Sequence, residues 1–427
     1  MKHPRSLAAV SFLALALASC GGGSGVNPAL KSAAPMSAPA RSAMAAAAGY
    51  STLYSFKGTP DGASPYSGLV AFNGVLYGTT LNGSSNYCSQ SCGGNECYLG
   101  CGTIFSVTAS GKENVVYNFK GNFSSAQDGS WPFPGMISLN GSLYGTTAGA
   151  GAFGHGTVFA LDASGKEKVV YSFQGGSDGE SPEAGVIAYK GALYGAALYG
   201  GGSGCGGAGC GALYTLTTAG KESVLYAFQG GTDGERLYSG PAFVNGKLYG
   251  ATLFGGGTGC GGNGCGAIYE VQRNGKEKVL YRFTGTTDGA FPNGLTAANG
   301  VLYGTAEGGG NKNSGTFFSV TTSGTLATLY NFQDIPDGNL PGATLLYEKG
   351  TLYGTTVGGG TAGVGTVFSI TKTGKEKVLY SFQGGSDGSD PQGPLYLYKR
   401  SLYGTTTTGG GTGCTGTGCG TIFKLKP

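Results

Sequence analysis

Short apolar runs of four to six residues recur from residue 51 to the end of the chain, separated by stretches of Gly, Asn, Ser and Pro. The runs are rich in aromatic and β-branched residues, which favours β-strands. One run reads LYGTT at 76–80 and returns with small changes at 143–147, 193–197, 248–252, 302–306, 352–356 and 402–406. Repetition of this kind indicates a repeat architecture.

Four such segments follow one another in a fixed order. The first resembles LYSF (53–56), the second begins with Gly after a loop that often contains Pro (68–72), the third is LYGTT, and the fourth resembles GTIF (102–105). An Asn-Gly pair, as at 73–74, often separates the second from the third, which is the signature of a two-residue hairpin. Each repeat therefore predicts a four-stranded antiparallel meander, and radial repetition of such sheets makes a β-propeller.

The order of the segments also predicts how the ring closes. With the Gly-led segment called a, LYGTT b, GTIF c and LYSF d, the chain reads d, six complete a-b-c-d units, and a final a-b-c. We therefore predict an all-β, seven-bladed propeller in which the N-terminal strand at 51–56 completes the last blade. Ring closure removes the terminal repeats that an open array must cap. A solenoid is the alternative, but its coils are usually shorter and need no spare strand.

A glycine stands in the middle of every b strand, at Gly78 and six equivalent positions. Glycine inside a strand weakens it and often marks a close approach of another group. We expect an aromatic ring from the neighbouring blade to lie against each of these glycines. The LYGTT segment is then part of the core rather than a functional site.

The N-terminus carries an export signal. Residues 1–19 have a charged start, an apolar stretch and small residues before Cys20, and the stretch is too short for a membrane span. The sequence LASC at 17–20 resembles the bacterial lipobox, which implies that Cys20 receives lipid and becomes the first mature residue. By the same resemblance, Gly21 implies an outer-membrane lipoprotein that faces the periplasm or the cell surface. An ordinary signal with an unrelated Cys is the alternative.

The predicted domains are the signal at 1–19, a tether at 20–49 and the propeller at 50–427. The tether consists mainly of Gly, Ser, Ala and Pro and lacks the apolar residues needed for a core. Removal of Lys2 and Arg5 with the signal lowers the formal charge from +4 to +2. This near-neutral charge, without a basic cluster, argues against nucleic-acid binding.

The LYGTT…GG…GTIF…G…LYSF units over residues 51–426 resemble the GloVer tandem-repeat family of "choice-of-anchor" bacterial surface proteins. The resemblance implies an exported, anchored repeat protein whose anchor would be the lipidated Cys20. It implies no particular reaction. Kelch-type propellers share the same strand order, but the kelch Trp is absent.

Ten cysteines remain after Cys20, an even number that favours disulfides in an exported chain. Cys205/Cys210, Cys260/Cys265 and Cys414/Cys419 share a gap of four residues. We predict two nested pairs among the other four, Cys92–Cys97 inside Cys88–Cys101, although four cysteines allow three connectivities. Zinc binding is the alternative, but zinc sites favour shorter gaps and often include His. We predict no metal site.

An Asp-Gly pair follows every d strand, in the loop that leads to the next blade. Its main interpretation is a turn in which Asp accepts backbone hydrogen bonds and Gly takes a positive φ. The alternative is a ring of carboxylates that binds Ca²⁺ or sugar hydroxyls, although Ca²⁺ needs six or more oxygen ligands. The residues concerned are Asp61, Asp128, Asp178, Asp233, Asp288, Asp337 and Asp387.

Departures from the repeat are the better candidates for a binding face, because aromatic and polar groups on loops of one face suit stacking on a sugar. These candidates are Trp131, Phe133, His155, Glu180, Glu183, Arg236, Tyr238 and Glu307. Catalysis is harder to assemble. A Ser-His-Asp triad would depend on His155 alone, and a glycosidase mechanism would need two facing acids such as Glu183 and Glu307.

The sequence therefore predicts a binding module at the cell envelope, attached to the membrane through lipid on Cys20. Its expected ligand is a polysaccharide or a protein partner, with no cofactor other than the Ca²⁺ alternative. A glycan-active hydrolase or lyase that uses carboxylates at the channel mouth is one alternative. A purely structural surface protein is another.

Overall fold

The computed structural model describes residues 49–427 except 87, 93–94, 99, 122–126, 134 and 415, with only the backbone for 89–92 and 95–98. The described residues form seven four-stranded antiparallel blades arranged as a β-propeller, which confirms the predicted fold class. The predicted signal, Cys20 and most of the tether lie outside the described residues. No helix among the described residues is long and apolar enough to cross a membrane.

Strands are numbered in chain order, and within a blade they run from the axis outward. Blade 1 contains β2 (Val70–Phe72), β3 (Val75–Thr80), β6 (Thr103–Val107) and β7 (Glu113–Asn118). Blade 2 contains β8 (Ile137–Leu139), β9 (Ser142–Thr147), β10 (Thr157–Asp162) and β11 (Glu167–Ser172). Blade 3 contains β12 (Val186–Tyr189), β13 (Ala192–Ala197), β14 (Ala212–Thr217) and β15 (Glu222–Ala227). Blade 4 contains β16 (Ala242–Val244), β17 (Lys247–Thr252), β18 (Ala267–Gln272) and β19 (Glu277–Arg282).

The innermost strand is divided into two short pieces in blades 5 and 6, and both pieces pair with strand b. Blade 5 contains β20 (Ala290–Pro292), β21 (Thr296–Ala298), β22 (Val301–Gly308), β23 (Thr316–Thr321) and β24 (Leu326–Asn331). Blade 6 contains β25 (Asn339–Pro341), β26 (Leu346–Glu348), β27 (Thr351–Gly358), β28 (Thr366–Thr371) and β29 (Glu376–Ser381). Blade 7 contains β30 (Tyr396–Tyr398), β31 (Ser401–Thr406), β32 (Thr421–Leu425) and β1 (Tyr50–Ser55).

Short elements occupy some of the loops. The hairpin β4 (Ser89–Cys92) and β5 (Asn95–Tyr98) lies in the b–c loop of blade 1. Single 3₁₀ turns occur at Cys205–Gly207, Cys260–Gly262 and Gly385–Asp387.

The two ends of the chain meet in blade 7, as the sequence predicts. β1 pairs antiparallel with β32, so that Tyr50 lies opposite Leu425. The ring of Tyr50 also stacks on Tyr380 of blade 6, with 3.7 Å between centroids, and its hydroxyl donates to the Asp387 carbonyl at 2.7 Å. Because β1 covers the outer edge of β32, the last blade has the same four strands as the others.

The prediction for the b-strand glycines was right about an aromatic neighbour but wrong about its origin. The antiparallel register places Gly78 opposite Phe105 of the same blade, and a Cβ on Gly78 would lie 2.5 Å from that ring. An equivalent Phe or Tyr from strand c covers the glycine in each of the other six blades. The ring lies across the glycine because the two residues are direct cross-strand partners.

Neighbouring blades are joined by a second aromatic contact. The Phe of each LYSF segment packs edge-on against the strand-c ring of the following blade, as Phe56 does on Phe105 at 5.1 Å between centroids. All seven interfaces contain this contact, at 5.0–5.3 Å. Perpendicular aromatic pairs of this kind stabilise beyond their buried area. The strand-c ring is therefore held by its own blade on one side and by the preceding blade on the other.

Candidate functional site

A cavity of about 640 Å³ lies where the innermost strands of the seven blades meet. Every blade contributes one lining residue at the same place in the repeat, five residues after the Asp of the Asp-Gly pair. We call these seven residues the axial ring: Tyr66, Phe133, Glu183, Tyr238, Asn293, Gly342 and Gln392. A cavity of this size is typical of small-molecule binding sites.

One part of the axial ring is aromatic. The rings of Tyr66 and Phe133 lie 4.6 Å apart, and Tyr238 meets Phe133 edge-on at 5.7 Å. Phe133 is buried, whereas Tyr66 and Tyr238 keep part of their surface exposed to the cavity. The Tyr66 hydroxyl also forms a hydrogen bond with Oε1 of Gln392. The three rings, inclined to one another by 38° and 90°, form an apolar surface bordered by hydroxyl and amide groups. We call these three residues the aromatic platform.

The polar part of the ring contains the buried carboxyl of Glu183, which is only 2% exposed. Burial raises the pKa of Glu183 to about 8, and a hydrogen bond from Tyr238 opposes that rise. Its Oε1 atom is buried and has no hydrogen-bond partner in the described part of the protein. At neutral pH this side chain is mainly a neutral acid, and it keeps the capacity to donate a hydrogen bond to a bound molecule.

A second buried acid, Glu307, lies close to the axial ring at the end of strand b in blade 5. Burial raises the pKa of Glu307 to about 7, and a hydrogen bond with Asn293 of the ring lowers it. Asn293 in turn donates to the carbonyl of Pro341 at 2.7 Å, which fixes its amide. The equivalent residues of the other blades are Leu81, Ala148, Leu198, Leu253, Val357 and Thr407, so only blade 5 carries a charge here.

The two acids belong to one electrostatic cluster. Besides burial, the charges of Glu183 and Glu307 both raise the pKa of the Tyr66 hydroxyl, and both also raise the pKa of Tyr238. Burial is the main cause of the raised pKa of each acid. Both carboxyls therefore lie near the same two tyrosine hydroxyls at the axis.

An outer layer of side chains lies three residues after each repeat Asp. All seven residues at this position have a left-handed backbone, with φ from +52° to +61°: Ser64, Trp131, Ser181, Arg236, Phe291, Leu340 and Asp390. Residues other than Gly, Asn and Asp rarely adopt this conformation. Because φ is nearly the same in all seven blades, the loops present six different types of side chain from equivalent points.

Arg236 is the cation of this layer. Its guanidinium lies 5.6 Å from the ring centroid of Tyr199 and 5.2 Å from that of Phe254, residues of successive b–c loops. The ring of Phe254 also packs edge-on against Phe291 of the outer layer, with 5.4 Å between centroids. The Arg236 side chain is half-buried. Such stacking restrains the guanidinium plane through cation–π attraction.

The other predicted binding-face residues lie in the surrounding loops. Trp131 lies against Gly149, where a Cβ would meet its ring at 2.7 Å, and it packs on the core between blades 1 and 2. Nδ1 of His155 approaches the Glu180 carboxylate at 3.4 Å. Trp131 therefore has a visible packing role, whereas His155 and Glu180 form a partly exposed pair near the Arg236 side of the face.

Every repeat Asp forms the same contacts with its own loop. Asp178, for example, accepts a hydrogen bond from the Tyr171 hydroxyl at 2.8 Å and another from the backbone N–H of Gln174 at 2.6 Å. All seven carboxylates accept a hydrogen bond from the Tyr of the preceding LYSF segment. These contacts support the turn interpretation, because they direct the carboxylates into the loop.

Four disulfides stabilise the b–c loops: Cys88–Cys101, Cys205–Cys210, Cys260–Cys265 and Cys414–Cys419. These four disulfides match four of the five predicted pairs. The fifth predicted pair, Cys92–Cys97, lies outside the side chains that the structure describes. Cys205, Cys210 and Glu235 are the one group with metal-ligand spacing that the described residues contain. The oxidised sulfurs offer no thiolates to a metal.

Three residues of the axial ring, Phe133, Glu183 and Tyr238, were predicted as binding-face candidates, whereas Tyr66, Asn293 and Gln392 were not. Tyr199 and Phe254, the rings that approach Arg236, were not predicted either. The available signal was the alignment of the seven loops on their Asp-Gly pairs. The fifth residue after Asp is Tyr, Phe, Glu, Tyr, Asn, Gly or Gln, in a repeat whose neighbouring positions vary less.

Comparison with protein families supports the predicted resemblance. The profile of the Gloeobacter/Verrucomicrobia repeat matches residues 42–262 and 260–427. A search of curated proteins found no significant match.

Two solved structures share the fold at low sequence identity. Virginiamycin B lyase from Staphylococcus aureus is 14% identical over 88% of this chain and 99% of its own, with a TM-score of 0.54. A puromycin hydrolase is 10% identical over 81% of this chain and 50% of its own, with a TM-score of 0.51. At these identities the similarity concerns the propeller alone.

Proposed function

This chain belongs to the Gloeobacter/Verrucomicrobia repeat family, and we propose that it is an exported binding module that holds a carbohydrate segment in its axial cavity. The observation that carries the proposal is the pairing of an aromatic platform with the buried, partly unsatisfied carboxyl of Glu183. We further propose that lipid on Cys20 anchors the module to the outer membrane, with residues 21–49 as its tether.

A sugar ring has the two kinds of surface that the cavity offers. Its C–H face is apolar and packs on aromatic rings, such as those of Tyr66, Phe133 and Tyr238. Its hydroxyls both donate and accept hydrogen bonds, which matches Gln392 and the neutral acid of Glu183. The cavity volume of about 640 Å³ is sufficient for a small saccharide unit.

Disulfides agree with export, because they persist in oxidising compartments. They also restrain the b–c loops, and the carbonyl of Cys210 in one of them accepts a hydrogen bond from the backbone amide of Arg236 at 2.8 Å, which fixes the d–a loop that leads to the cavity. A rigid cavity at the end of a tether suits capture of an extended polymer at the cell envelope.

The test is a polysaccharide array followed by calorimetric titration of the purified, disulfide-intact chain, with Ca²⁺ and with EDTA. Phe133→Ala removes the central ring of the platform and should weaken binding at least tenfold. Phe153→Ala is the matched control, because Phe153 is 56% exposed in a b–c loop and does not line the cavity. Equal losses in the two variants, or binding that neither change affects, would contradict an axial site.

The pH dependence of binding tests the role of Glu183. Its raised pKa of about 8 means that the carboxyl is protonated below pH 8 and ionised above it. Affinity should therefore fall as the pH rises through 8, because the ionised acid no longer donates a hydrogen bond. Glu183→Gln keeps an uncharged donor and should make binding nearly independent of pH in this range. A pH profile that the substitution leaves unchanged would assign the titration to another group.

A second candidate function is cleavage of the bound glycan. It is favoured by the two buried acids, Glu183 and Glu307, whose pKa values of about 8 and about 7 are suited to general acid–base chemistry near neutral pH. Incubation of a bound polysaccharide with the protein, followed by chromatography of the products, decides between binding and cleavage. Silence of the array toward every glycan would instead favour a protein partner or a structural role.

A further inference from the structure

The Arg236 side chain has an unusual environment. Tyr199 and Phe254 approach its guanidinium from two successive b–c loops, at 5.6 and 5.2 Å from the ring centroids. We call these three residues the arginine clamp. The two rings restrain the guanidinium by cation–π attraction, which does not use its N–H donors.

The guanidinium of Arg236 forms no close ion pair among the described residues, although its charge opposes the rise that burial gives to the pKa of the adjacent Glu235. No carboxylate in the described part of the chain lies within ion-pairing distance of it. The adjacent Glu235 directs Oε2 toward Cys205, 2.6 Å from the sulfur, and Glu180 lies beside His155. A half-buried cation with free donors and a restrained plane is suited to bind an external anion.

The clamp borders the proposed carbohydrate site. Arg236 precedes Tyr238 of the axial ring by two residues. Burial raises the pKa of the Tyr199 hydroxyl, the charge of Arg236 opposes that rise, and the charge of Glu183 adds to it, so Tyr199 lies within electrostatic reach of both. A ligand on the aromatic platform would therefore have part of its surface within reach of the clamp.

We propose that the arginine clamp is a carboxylate subsite, and that the ligand class of the axial cavity is an acidic saccharide such as a uronic-acid oligomer. This inference rests on the proposed carbohydrate-binding function. A carboxylate presents two coplanar oxygens that match the forked donors of a guanidinium. The neutral state of Glu183 at pH 7 removes the repulsion that an ionised acid at the axis would exert on such a ligand.

The experiment compares two forms of one ligand, a uronic-acid oligosaccharide and its carboxyl methyl ester, by calorimetric titration of the full chain with intact disulfides. The two forms share size and hydroxyl pattern and differ in charge. Wild-type protein should bind the acid at least tenfold more tightly than the ester, and added salt should reduce the difference. The ratio of the two affinities should approach one in Arg236→Gln.

Arg236→Lys keeps the charge but loses the forked geometry, and should therefore retain only part of the selectivity. It also provides a second variant if Arg236→Gln lowers the melting temperature. Equal affinity of the wild-type protein for acid and ester would overturn the inference and leave the proposed function intact. Selectivity that survives in both variants would also overturn it, because the carboxylate would then bind elsewhere. Binding of neither form, nor of neutral glycans, would remove the proposed function itself.

Discussion

Five pairs of carboxyl groups lie at the outer rim where neighbouring blades meet, and they predict an unusual pH dependence of stability. We call them the rim pairs. In each pair, the Glu that begins strand d of a blade lies near the repeat Asp of the loop that leads into that blade. The pairs are Glu113 with Asp61, Glu167 with Asp128, Glu222 with Asp178, Glu277 with Asp233 and Glu376 with Asp337.

The pKa of each rim Glu is raised to about 7, first by burial and then by the charge of the facing Asp. Lys57, Lys120 and Arg282 lower the pKa at three of the pairs. In the unfolded chain a Glu titrates near its ordinary value of about 4.3. The folded protein therefore binds more protons than the unfolded chain between these pH values. Linkage then requires that the free energy of unfolding falls as the pH rises through this window.

The magnitude follows from the size of the pKa change. A complete change from the ordinary value to about 7 would correspond to about 4 kcal/mol per pair. Because most rim carboxyls keep a considerable part of their surface exposed, screening reduces this to about 1 kcal/mol. The pairs lie in different interfaces and should add, giving about 5 kcal/mol for all five.

The assay is thermal unfolding between pH 4 and pH 8.5, with wild-type protein and a variant that carries Gln at all five rim Glu positions. The variant should match the wild type near pH 4, below the ordinary pKa of Glu, and be more stable by about 5 kcal/mol at pH 8, a difference of roughly 5–10 °C in melting temperature. Leu326→Gln is the control for the pH profile, because Leu326 takes the place of the rim Glu in blade 5: the change removes apolar packing at every pH but no titrating group. A quintuple variant that is less stable than wild type at pH 8, or that keeps the wild-type pH profile, would refute the reasoning.

Two further substitutions test how the blades are held together. Gly78→Ala places a Cβ 2.5 Å from the Phe105 ring and should cost about 2 kcal/mol in urea unfolding. Ser106→Ala, next to Phe105 in the partner strand β6, should cost little, and equal costs would contradict the cross-strand contact. Tyr50→Ala removes the stacking on Tyr380 that helps to close blade 7 and should cost about 3 kcal/mol, with the loss visible as earlier proteolysis near the N-terminus. Unchanged stability in that variant would show that backbone pairing of β1 with β32 is sufficient for closure.

The number, order and type of the strands could be predicted from the sequence because every repeat carries the same signals. Asn-Gly hairpins, Gly-bounded apolar runs and the spare LYSF segment at 53–56 each have a local physical meaning. The ring that covers Gly78 was assigned to the wrong blade for a different reason. Its identity depends on the register between strands b and c, which the pattern of apolar residues alone does not fix.

The candidate site was only partly predictable, because the sequence does not show which loop side chains pack on the core and which converge at the axis. Trp131 and Arg236 stand out as rare residues in their loops, and the structure shows that one packs on Gly149 while the other is enclosed by two rings. The rarity of a residue type within the repeat therefore did not distinguish a packing residue such as Trp131 from a proposed binding residue such as Arg236. Tyr66 and Gln392 are residue types that are common in loops, so the sequence does not mark them. They belong to the candidate site only because the fold brings both to the axial cavity.

The division between constant and variable positions supports the axis as the location of the proposed binding site. The Asp–Tyr hydrogen bonds and the glycines of strand b occur in all seven blades and define equivalent backbone positions. A feature repeated seven times around an axis presents the same group from every side, and a saccharide without sevenfold symmetry gains no preferred orientation from it. Recognition must therefore come from the positions where the repeats differ. The axial ring and the outer layer are such positions, and the uniform left-handed φ of the outer layer shows that the side chains there vary on an unchanged backbone. Because ligand selectivity resides in these side chains, substitutions such as Arg236→Gln should alter binding with little effect on the propeller.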